Sequence, residues 1–78
     1  MPRFYFHLHN DMYVEDEEGA ELPDMAAARE YALESARDLA SVFVKHGHIN
    51  LNHFVRVTDE GGQDVIRIAF RDSFTIEG

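Results

Sequence analysis

The sequence holds no cysteine. Disulfides and thiolate metal sites are therefore excluded, and a reducing, cytoplasmic setting is expected. Long apolar runs are also missing, so no membrane-spanning segment is expected, and Met1-Pro2-Arg3-Phe4 does not open an apolar signal sequence. Cations are scarce: seven Lys and Arg stand against fifteen Asp and Glu, for a formal charge of −8. Such a surface repels a phosphate backbone, which disfavours bulk nucleic-acid binding. At 78 residues the chain makes one domain with a modest core, and association is a common remedy at that size.

Motifs that carry chemistry are equally sparse. Ser35, Ser41 and Ser73 stand outside any nucleophile elbow. Gly61-Gly62 lacks both the lysine and the helix of a phosphate loop. His7 and His9 lie two apart on one strand face, and His46, His48 and His53 cluster elsewhere, but no spacing supplies three or four convergent metal ligands. The acids Asp11, Glu15, Asp16, Glu17, Glu18, Glu21 and Asp24 lack the alternation of a calcium loop and read as a solvated segment. No catalytic residue, metal or cofactor is expected, and the chain reads as non-enzymatic.

What the sequence does contain is a well-specified helix. From Met25 to His46 there is neither Gly nor Pro, and strong helix formers dominate. Asp24 is placed to cap the first turn, Pro23 suits the position before it, and Gly47 suits the left-handed residue after the last turn. Met25, Ala28, Ala32, Ala36, Leu39 and Phe43 recur at spacings of three and four and should face the core. Tyr31, Leu33, Val42 and Val44 widen this apolar arc beyond the ~100° that one sheet face requires. A second subunit, or loops and the tail, could cover the surplus.

Strand-like alternation flanks the helix on both sides. Phe4, Phe6 and Leu8 should point inward, with Arg3, Tyr5, His7 and His9 outward. After a turn at Asn10-Asp11, Met12 to Glu15 returns as a short strand with Met12 and Val14 inward, and Asp16 to Gly19 forms an acidic loop. His53 to Asp59 and Asp64 to Phe70 make a second hairpin around Glu60-Gly61-Gly62-Gln63. The expected fold is therefore α+β: a two-layer sandwich of strand-strand-helix-strand-strand, with a four-stranded antiparallel sheet in spatial order 2-1-3-4. The domain is expected over residues 1–72, with 73–78 as a tail. Its core is expected to gather Phe4, Phe6, Leu8, Ala32, Leu39, Phe43, Val57, Ile66 and Ile68.

The outward face of that sheet is the candidate site. Tyr5, His7, Phe54, Arg56 and Arg67 occupy matching outward positions, in the company of Arg3, His9 and Tyr13. Rings offer stacking surfaces and guanidinium groups offer anion contacts, so the set suits a protein interface or a single-strand platform. The glycine-aromatic motif of the common RNA-binding sheet is missing, and the acidic total favours protein. A homodimer and a protein partner are thus expected, with the sheet face slightly ahead of the helix flank as the contact. A small ligand or single-stranded nucleic acid on the same face is the alternative.

The opening Met-Pro-Arg-Phe-Tyr-Phe-His, the segment Asp16 to Asp24 running into an alanine-rich helix, and Val57-Thr58-Asp59-Glu60-Gly61 before Phe70-Arg71-Asp72 together resemble one family. It is a group of short, uncharacterised proteins of rhizobia and related alphaproteobacteria, known as a domain of unknown function. The resemblance spans about residues 1–72 and implies a single small bacterial domain, with no activity, cofactor or site residue attached. At the level of fold alone, Leu22-Pro23-Asp24 before an Ala- and Glu-rich helix is similar to antitoxin partners of small RNA-cleaving toxins, although their proline-glycine-cysteine stretch is missing.

Overall fold

A computed structural model describes all residues, Met1–Gly78. In chain order the elements are β1 (Arg3–His9), β2 (Tyr13–Val14), β3 (Ala20–Glu21), α1 (Met25–Lys45), β4 (Phe54–Thr58) and β5 (Asp64–Ala69), followed by a 3-10 turn at Phe70–Asp72. The sheet order is β2-β1-β4-β5, and β3 pairs with the other end of β1. Every pairing is antiparallel. The expected α+β class and the central place of β1 therefore hold.

The fifth strand is a correction to the four expected. Gly19 takes φ +70 and turns the acidic segment back along β1, pairing Ala20 with Phe4 and Glu21 with Arg3. β2 and β3 both sit on the same edge of β1 and leave a gap between them. Asp16 fills it: its Oδ2 accepts the Phe6 N–H, and its Oδ1 accepts those of Glu18 and Gly19. The segment expected to be wholly solvated is thus pinned to the sheet through one of its acids.

α1 begins where the sequence places it. Asp24 Oδ1 accepts the Ala27 N–H at 2.9 Å, and Gly47 at φ +91 ends the helix. Its buried row is Ala28, Ala32, Ala36 and Ala40, four small residues one turn apart, which let the backbone lie close to the sheet. The core is completed by Phe4, Val55, Val57, Ile68 and Phe70. Arg37 donates to the Ser73 carbonyl, Ser73 is buried and Phe74 packs on the core, so packing continues past residue 72.

The helix lies over β4 and β5 rather than over the centre of the sheet. Phe6, Leu8 and Leu39, expected in the core, are consequently half-buried at its margin, and Phe43 near the end of the helix and Ile66 on the edge strand β5 are half-buried as well. Met12 and Val14, also expected inside, are 76% and 53% exposed because no helix reaches β2. Met25 is exposed too, being the first helical residue. Phe70 is fully buried but starts the 3-10 turn instead of ending β5.

Candidate functional site

Strand alternation and the sheet order together build the outer face. His9 is opposite Tyr13 on one side and Phe54 on the other, and Arg67 lies one diagonal step from Phe54 on β5. The result is a row of stacked groups, one each from β2, β1, β4 and β5. The His9 and Phe54 rings are parallel within 9° at 4.5 Å, and the Arg67 guanidinium sits 3.9 Å over the opposite side of Phe54. Tyr13 tilts against His9 at 4.6 Å. Both faces of Phe54 are therefore occupied, because β4 runs between β1 and β5.

Arg56 ties this row together. Its Nε–H donates to His9 Nε2 at 3.1 Å, and its two terminal nitrogens donate to the Tyr13 hydroxyl and to Asp64. The carboxylate of Asp64 raises the guanidinium pKa, against a smaller opposing effect of burial. For His9 the direction is downward: burial disfavours the cation first, and the charges of Arg56 and Arg67 add to it. A neutral ring with Nε2 free to accept is what the bond from Arg56 requires.

His7 has a different role. It is buried, donates from Nε2 to Thr58 Oγ1 at 3.0 Å, and accepts the Asp16 N–H at Nδ1, which fixes one neutral tautomer. Beside it lies a shallow polar groove of about 420 Å³ lined by Tyr5, Arg56 and Thr58 and rimmed by Glu15, Glu17, Asp59 and Glu60. Asp16 below this rim titrates lower than usual. Burial alone would raise it, but the N–H groups of Phe6, Gly19 and Glu18 outweigh that effect.

Of the five residues singled out from sequence, Tyr5, His7 and Arg56 meet at the acidic groove, while Phe54 and Arg67 form the far end of the row. His9, Tyr13 and Asp64 complete the arrangement. The alternation had put His9 and Tyr13 on this face, but nothing in the sequence pointed to Asp64. The histidines do not converge, since both nitrogens of His7 are engaged and Arg56 holds His9, and no three His, Asp or Glu side chains gather to hold a metal ion. No helix is long and apolar enough to cross a membrane.

Residues 3–71 match the family described as a domain of unknown function, DUF6894, and the chain belongs to that family. No curated protein and no solved structure matches it.

Proposed function

We propose that this DUF6894 protein is a non-enzymatic interaction module that self-associates as a homodimer through the outer face of its sheet. The observation that carries the reading is the polarity of that face. One end holds the groove rimmed by Glu15, Glu17, Asp59 and Glu60, and toward the other end Arg67 leans over Phe54 without forming an ion pair. A two-fold axis lying in the interface, across the strands, sets the Arg67 end of one copy against the acidic end of the next. An isologous contact needs this kind of self-complementarity. The aromatic row is already held by stacking and by Arg56, so little side-chain freedom remains to be lost on association.

Single-stranded nucleic acid is the weaker reading. A base needs an open ring face, and both faces of Phe54 are occupied. Sedimentation of the Phe54→Glu and Arg67→Glu proteins at micromolar concentration tests the proposal. The expected result is a lighter species than the parent, with the helical signal retained, because a buried unpaired charge or a like-charge contact opposes the dimer. A parent that sediments as a monomer, or variants with the parent's mass, would rule it out.

A further inference from the structure

The opposite face of the sheet is only half covered. Four strands spaced ~4.8 Å apart make a face roughly 19 Å wide, whereas one helix with its side chains is ~10–12 Å across. α1 lies over β4 and β5. What remains is a groove of about 340 Å³ along β1, floored by Phe6 and Leu8 and walled by Tyr31, Ser35, Asp38 and Leu39. Val14 is opposite Leu8 on β2 and extends the apolar floor, half exposed. Tyr31 leans on Phe6 at 4.5 Å and is 43% exposed.

We propose that this groove receives an amphipathic helix of another protein, with one apolar stripe and lysine or arginine on its flanks. The uncovered half-sheet has the width of one helix, and its residues form a stripe rather than a closed pocket, as helix-in-groove recognition requires. Charge selects the partner. No lysine or arginine lines the groove, whereas Asp16 and Asp38 do, and the Asp38 carboxylate has no hydrogen bond or ion pair within the protein. The whole chain carries −8. A second copy fits poorly by the same reasoning, since it brings the same net charge of −8. Because this groove and the outer face lie on opposite sides of the sheet, both can be occupied together.

The test uses the full chain and a labelled model peptide of about fifteen residues, near the length at which isolated helices become stable. It carries leucine at every third and fourth position and lysine elsewhere, and a control peptide has glutamate for each lysine. Fluorescence anisotropy should show the lysine peptide binding more than about tenfold tighter than the control, weakening with salt. Amide shifts should change at Phe6, Leu8, Val14 and Tyr31. Tyr31→Glu and Val14→Glu, both at exposed positions, should each weaken binding about tenfold, while Phe54→Glu should leave it unchanged. Failure of the lysine peptide to bind, equal binding of both peptides, or shifts confined to the outer face would overturn the proposal. A lighter sedimenting species for Tyr31→Glu would instead assign the groove to a second copy and also overturn it.

Discussion

The Asp16 carboxylate accepts the Phe6 backbone N–H at 3.0 Å, at the one stretch of the β1 edge that neither β2 nor β3 covers. A side chain there replaces a strand. Asp16→Ala should cost about 1–3 kcal/mol in urea unfolding, because the Phe6 N–H loses its partner and the turn at Glu18 and Gly19 loses its anchor. Glu17→Ala, at an exposed position on the same segment, should stay within about 0.5 kcal/mol.

That carboxyl also sets a pH dependence. Its folded pKa lies below the unfolded value, so its contribution is complete above the unfolded value of ~3.9 and disappears as pH falls through the folded value. Asp16→Asn should show less loss of stability across this acid window than the parent. Thermal melts from pH 5 downward measure it, and parallel curves would exclude the role.

His9 gives a second window with the same sign. Its folded pKa is also lowered, so stability is complete above ~6.5 and declines as pH drops from there through the folded value. In His9→Gln the amide oxygen can still accept from Arg56, and the decline between pH 7 and 5 should be shallower. Imidazole proton shifts should place the His9 midpoint below the unperturbed one.

Gly19 and Gly47 both adopt positive φ, yet they should respond differently to alanine. A Cβ on Gly19 would lie 2.7 Å from the Phe4 carbonyl oxygen and 3.0 Å from the Tyr5 ring, while one on Gly47 would meet nothing within 4 Å. Gly47→Ala should cost ~1–2 kcal/mol, the left-handed conformation alone. Gly19→Ala should cost more and should disturb amide shifts along β1.

The lateral position of α1 ranks the aromatic core. Phe70, fully buried beside Phe43, should cost ~3–5 kcal/mol on replacement by alanine. Phe6, half-buried at the open groove, should cost less. Equal losses by chemical denaturation would mean that the helix covers β1 as fully as it covers β4 and β5.

Much of this architecture is legible in the residues. The period of two in Arg3–His9 assigns Tyr5, His7 and His9 to one face, and Asp24 and Gly47 bound the helix. The width of coverage is not legible. An alanine row at one-turn spacing looks like any apolar stripe, and only its docking over β4 and β5 leaves Phe6 and Leu8 at a margin. β3 escapes because two residues have no period, and what holds them is a glycine turn and an aspartate bond. The row from Tyr13 to Arg67 could not be assembled from alternation alone, since it depends on which strands are neighbours. Likewise, the burial of His7 follows from the Asp16 segment folding over it.

The central pairing of the sheet joins Tyr5 to Thr58 and His9 to Phe54, closing a loop that contains the whole helix. The β4–β5 hairpin and α1 form from near neighbours, but β1 must come from far along the chain. Loop closure of this kind precedes any reward in contacts and slows folding. As the chain is synthesised, β1 emerges first and has no long partner until Thr58 follows. The edge of β1 that faces β4 is thus the one left unpaired longest.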